Sequence, residues 1–172
     1  RVDADLAAGS GDVGVLRELV GELRQHSVPA SRGALGRALE LLAGRQAGPA
    51  IPSLRLEAAR AYADAGDRAG ARRMLDAVLA DPGAAGALGP GAARTVIDVL
   101  IGEGDLDEAA RRLAHPPAGL SLDDVRALRR ALASASARAG DLDRAQRSLA
   151  ADSSIETAAI QGRLFLYKGD LA

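Results

Sequence analysis

Three groups of residues in this chain have types and spacings that bear on chemistry. Gly9-Ser10-Gly11-Asp12-Val13-Gly14 carries the glycine trio with which dinucleotide-binding folds bring a backbone close to a pyrophosphate at a helix N-terminus. That chemistry needs an apolar strand just before the glycines. Arg1 to Ala8 alternates charged and small residues instead, so the trio reads as a turn ahead of a helix. His26 and His115 are the only imidazoles, far apart and both at predicted helix C-termini, where an imidazolium meets the negative end of the dipole. Asp105, Asp107 and Glu108 form a carboxylate cluster, but acidic residues in a first helical turn are ordinary capping. Cysteine is absent, which removes thiol nucleophiles, cysteine metal sites and disulfides. No nucleophile elbow, phosphate loop or helical zinc motif occurs. The chain is expected to be noncatalytic, with no cofactor and no metal.

What recurs is a turn. Gly66-Asp67, Gly104-Asp105, Gly140-Asp141 and Gly169-Asp170 repeat with similar residues at matching offsets. Five positions after the glycine stand Ala71, Ala109 and Ala145, and nine after stand Leu75, Leu113 and Leu149. Four before come Tyr62, Leu100, Ser136 and Phe165, and eight before come Ala58, Val96, Leu132 and Gln161. Steps of four place these residues on one stripe of a helix on each side of the glycine. The glycine suits the left-handed position past a helix C-terminus, and the aspartate suits the N-cap of the next helix. Asp105 with Glu108, and Ser121 with Asp124, predict capping boxes. The chain is therefore expected to be all-α, built from helical hairpins that cannot bury their own apolar faces and so stack.

These residues resemble the tetratricopeptide repeat family, whose hairpin carries an aromatic, a Gly-Asp turn, a small residue early in the second helix and an apolar residue one turn later. Tyr62, Gly66, Asp67, Ala71 and Leu75 match best, ending near Pro82, while Gly162, Phe165, Gly169 and Asp170 look like the first helix and turn of a last copy. The resemblance runs from about Pro52 to the end. It departs from the family in its glycine spacings of 38, 36 and 29, where ~34 is usual, and in Ser136, which replaces the aromatic. The resemblance implies a right-handed superhelical solenoid of antiparallel helix-turn-helix repeats whose first helices line a concave groove. In that groove it places Leu56 and Arg60, Arg94 and Asp98, Arg130 and Ser134, and Ala159 and Arg163, with Asp64 and Tyr167 flanking them. One arginine per copy would form a row able to grip carboxylates in bidentate fashion. Leu56, Leu166 and Tyr167 would supply apolar contacts. The function implied is a noncatalytic protein-protein interaction scaffold that binds a peptide or helix, acidic in character, in the groove. The alternative is a structural spacer or self-association module of a larger multidomain protein.

Composition agrees. Of the 172 residues 48% are hydrophobic but only 2% aromatic, so the core must be made of alanine and aliphatic side chains in close-packed helices. A formal net charge of -1 gives no general attraction to nucleic acid or anionic membrane, and neither is expected as a partner. The strongest apolar run, Val96 to Ile101, is interrupted by Asp98 and falls far short of the ~20 residues of a spanning helix. A single lysine, Lys168, beside 21 arginines and no asparagine points to a GC-rich bacterial genome, and the sequence leaves the compartment open between cytoplasm and periplasm. A start at Arg1 and a stop just after Gly169-Asp170 suggest a piece of a longer protein, whose exposed repeat ends would allow a homodimer.

The first third follows the pattern less closely. Leu16, Val20 and Leu23 give one helix to about Gln25, Pro29 and Ser31 mark a turn, and Leu35, Leu39 and Leu42 give a second helix from Arg32 to Ala43. Gly44 to Pro52 reads as a linker, Asp81 to Gly91 as a loop, and His115-Pro116-Pro117 as a helix stop. Residues 1–47 are accordingly expected to be N-terminal helices forming a degenerate or capping repeat. Residues 48–172 are expected to be the repeat array, with units at about 52–82, 90–115, 121–151 and a truncated 153–172.

Overall fold

The computed structural model describes residues 12–26, 28–81, 83–84, 88, 91–117, 119–150 and 154–168, with the side chains of 155, 156 and 165–168 excepted. Every helix or strand of any length among the described residues is an α-helix. In chain order these are α1 (Val13–Leu23), α2 (Pro29–Arg45), α3 (Ile51–Asp64), α4 (Arg68–Leu79), α5 (Ala92–Glu103), α6 (Leu106–Ala114), α7 (Leu122–Arg138), α8 (Leu142–Leu149) and α9 (Ile155–Lys168). The chain divides into two compact units, Arg1–Glu103 and Gly104–Ala172.

The recurrent turn works as its chemistry dictates. Gly66, Gly104 and Gly140 have φ of 79°, 91° and 82°, the left-handed region that glycine enters without steric cost. After α3 the Gly66 N–H bonds to the Ala63 carbonyl at 3.0 Å and the Asp67 N–H to the Tyr62 carbonyl at 2.9 Å. After α7 the same pair of bonds joins Gly140 to Ala137 at 3.0 Å and Asp141 to Ser136 at 2.9 Å. This Schellman arrangement satisfies carbonyls that a helix end leaves open. It also explains the fixed offset, since the residue four before the glycine is the carbonyl that closes the turn. Each aspartate then caps the next helix. Asp67 accepts from Gly70 N at 2.9 Å, Asp105 from Glu108 N at 3.2 Å and Asp141 from Arg144 N at 2.9 Å. Ser121 and Asp124 form a complete capping box at the start of α7. Gly169-Asp170 lies outside the described residues.

The repeating apolar positions are the core. Ala58, Tyr62, Ala71, Leu75, Val96, Leu100, Ala109, Leu113, Leu132, Ser136, Ala145 and Leu149 are all at most 5% exposed. In the first unit α1 packs on α2, α2 on α3, α3 on α4, and α5 against both α3 and α4. In the second unit α6 packs on α7, α7 on α8, and α9 against both α7 and α8. Ala133, Ala145, Leu149 and Leu164 form one closed cluster there. Burying one such leucine contributes ~1.5–3 kcal/mol.

Tyr62, the one aromatic of the first unit, ties three helices together. Its hydroxyl donates to Glu40 Oε2 of α2 at 2.6 Å, and Arg73 of α4 donates to both oxygens of Glu40 at 3.1 and 2.8 Å. The Arg73 guanidinium also sits 5.9 Å from the ring centre. Gly36 of α2 and Gly70 of α4 leave room for the ring, since a Cβ at either would approach it to 2.9 or 2.8 Å.

Two helix starts differ from the sequence reading, for one reason. α2 begins at Pro29, not Arg32, and α3 begins at Ile51 with Pro52 buried in its first turn, so the linker shrinks to 46–50. Proline marks a boundary in sequence, but its missing N–H is harmless in a first turn and its fixed φ is already helical. α1 stops at Leu23 instead of about Gln25.

Candidate functional site

In the first unit the expected groove residues of α3 and α5 come together. Arg60 Nε donates to Asp64 at 3.0 Å and its Nη1 reaches across to Asp98 of α5 at 3.1 Å. Arg94 Nε stands 3.8 Å from the same Asp98 oxygen. The offset mapping therefore identifies neighbours, yet the electrostatics are not those of an open arginine row. Both guanidiniums already face carboxylates, and the cluster of two arginines and two aspartates is balanced. Beside it Ser53, Leu56, Glu57, Arg60, Leu88 and Thr95 line a cleft of about 420 Å³. Leu56 is only 6% exposed, so it forms the floor of that cleft and part of the core rather than a projecting contact.

In the second unit Arg130 and Ser134 are half-buried on α7, while Ala159 and Arg163 are exposed on α9. Arg163 Nε lies 3.5 Å from the Ala159 carbonyl. Ser134, Arg138, Ile160, Arg163 and Leu164 line a second cleft, about 510 Å³, between α7 and α9. The side chains of Leu166 and Tyr167 fall outside the described residues.

A third cleft, about 620 Å³, was not foreseen. It opens between α6 and α8 over α7, with Arg111, Arg129, Arg144, Arg147 and Asp107 on its walls. Its sequence signal is the set of arginines on the second helices, Arg111, Arg144 and Arg147, which lie outside the first-helix offsets.

The other chemistry-bearing residues serve helix ends and ion pairs. Asp12 caps α1 by accepting from Gly14 N at 2.7 Å, while Gly9 and Gly11 lie outside the described residues. His115 is the C-cap of α6, and His26 follows α1, exposed. Asp107 pairs with Arg144 at 2.8 Å. The Glu108 carboxylate, which the sequence suggested as the returning half of a capping box, accepts from Arg111 and Arg112 at 2.6 and 2.7 Å. Those two hydrogen bonds, Arg111's first, hold its carboxyl below the usual range. Among the described residues no three acidic or histidine side chains gather as a metal site would require, and no helix is long and apolar enough to cross a membrane.

Compared with known proteins, the chain matches no family model, no curated protein and no solved structure.

Proposed function

We propose that the chain is a tetratricopeptide-type helical repeat array acting as a noncatalytic scaffold, and that it holds a partner's peptide or helix on the face shared by α3 and α5. The observation that carries this reading is the convergence of Arg60, Asp64, Arg94 and Asp98 in one cluster that shares Arg60 with a cleft floored by Leu56. An apolar hole rimmed by oriented polar groups is the usual build of a protein-binding hot spot, where a buried anchor supplies affinity and the rim supplies direction.

The mechanism follows from the charge balance. A partner would place one apolar side chain between Leu56 and Leu88 and add hydrogen bonds to the Arg60 guanidinium protons that Asp64 and Asp98 leave unused. Because those aspartates pre-orient the arginines, little side-chain entropy is lost on binding. Peptides selected from a random display library on the wild-type chain provide the test. Thr95→Trp, which fills the cleft, and Arg94→Glu, which reverses one charge of the adjoining cluster, should each abolish their retention. Peptides retained equally by both variants would place binding on another surface.

A further inference from the structure

The cleft between α6 and α8 carries a charge pattern unlike that of the α3/α5 face. Four arginines line it against one aspartate. Arg144 is spoken for, with Asp107 at 2.8 Å and Asp141 at 3.1 Å, and Arg111 is held by Glu108 at 2.6 Å. Arg129, half-buried on α7, donates only to a neutral acceptor, the Leu113 carbonyl at 3.2 Å. The exposed side chain of Arg147 on α8 has no hydrogen-bond or ion-pair partner among the described residues. Two guanidiniums thus converge on one concave space with no carboxylate of the described residues bonded to either, since Asp107 is taken by Arg144, and one of them is partly withdrawn from water. Such an arrangement offers guanidinium donors to an entering anion, with charge-assisted bonds in place of the one neutral acceptor of Arg129.

The shape narrows the class of anion. Leu113, Leu132 and Ala110 give the space an apolar lining, and its volume lies within the roughly 300–1,000 Å³ of small-ligand sites. No aromatic side chain lines it to stack on a base, and the chain's formal net charge of -1 supplies no long-range pull on a polyanion. Carboxylates on short aliphatic stems fit both features, their methylenes on the leucines and their oxygens in the guanidinium forks. We infer that this cleft is a second binding site, one that takes an acidic segment of a partner protein through Arg129 and Arg147. The inference does not depend on the α3/α5 face, since every residue it uses lies in the second unit.

Fluorescence anisotropy with a labelled hexaglutamate peptide at low salt tests it, with hexaglutamine and inorganic pyrophosphate as comparison probes. The expected result is saturable binding of hexaglutamate alone, weakened about tenfold or more by Arg147→Glu. Arg138→Glu changes net charge equally from an exposed position on α7 and should leave the affinity unchanged. Equal binding by wild type and Arg147→Glu would overturn the inference, as would absence of hexaglutamate binding or capture of pyrophosphate in its place. Loss on Arg94→Glu with retention by Arg147→Glu would overturn it too, while leaving the α3/α5 reading intact.

Discussion

Replacing Gly36 by alanine should weaken the fold, the reverse of what that exchange usually does in a helix. In an open helix interior alanine in place of glycine stabilises by ~0.5–1 kcal/mol. At Gly36 the new Cβ would stand 2.9 Å from Tyr62 Cδ1 and 3.0 Å from Cε1 and Cγ. Carbon atoms in packed interiors prefer separations of ~3.5–4.0 Å. Retreat of the ring is opposed on two counts. Gly70 of α4 abuts the same ring, with its own Cβ direction 2.8 Å from Cγ, and the hydroxyl is held 2.6 Å from Glu40. Overpacking of this kind costs ~1–3 kcal/mol, so a net loss of up to ~2.5 kcal/mol remains after the propensity gain. Gly44, in the same helix, has nothing within 4 Å of its Cβ direction. Gly44→Ala should therefore stabilise by up to ~1 kcal/mol. Urea unfolding followed by far-UV circular dichroism would show the midpoint falling for Gly36→Ala and rising for Gly44→Ala at unchanged slope. A midpoint for Gly36→Ala at or above wild type would refute the packing argument.

Ser136 is fully buried and its Oγ has no hydrogen-bond partner, so Ser136→Ala should raise stability by ~1 kcal/mol in the same titration, and a loss would show that the hydroxyl is satisfied. Asp141→Ala removes the N-cap of α8, whose 8 residues give little other support, and should cost ~0.5–2 kcal/mol, whereas Asp141→Asn should cost much less. Burial pushes the Glu40 carboxyl up, but hydrogen bonds from Arg73 and Tyr62 pull it further down, to a net position below its ordinary 4.5. Its contribution is thus complete above that value and lost as pH falls through the lower folded-state value, and Glu40→Gln should flatten the acid limb of a stability-pH curve. Burial, then the bond to Glu40, raise the Tyr62 hydroxyl above its ordinary 10.0. That contribution is complete below pH 10.0 and fades as pH rises toward the folded-state value, so Tyr62→Phe should flatten the alkaline limb.

Much of the fold was legible because its rules are local. A glycine at positive φ followed by a capping aspartate is a short-range motif, and burial at offsets of four from it follows from helix geometry. Helix starts at Pro29 and Ile51 were misplaced because proline looks alike as a breaker and as a first-turn residue. The site was legible only in part. Offsets brought Arg60, Arg94 and Asp98 to one face correctly, but not the exchange of charge between α3 and α5, which depends on how two helices 38 positions apart in register face each other. Likewise Glu40, Tyr62 and Arg73 meet across three helices, and Gly36 reads in sequence as a poor helix former until the ring against it is seen. The arginines of α6 and α8 gained meaning only when Arg129 of α7 was found between them.

Whether a partner docks on the proposed face of α3 and α5 is read out by amide chemical-shift mapping. A display-selected peptide is titrated into the 15N-labelled chain. The largest shifts are expected at Ser53 to Arg60 and at Ala92 to Asp98, all lost in Thr95→Trp. Shifts absent from both helices, or surviving the filled cleft unchanged, would contradict it.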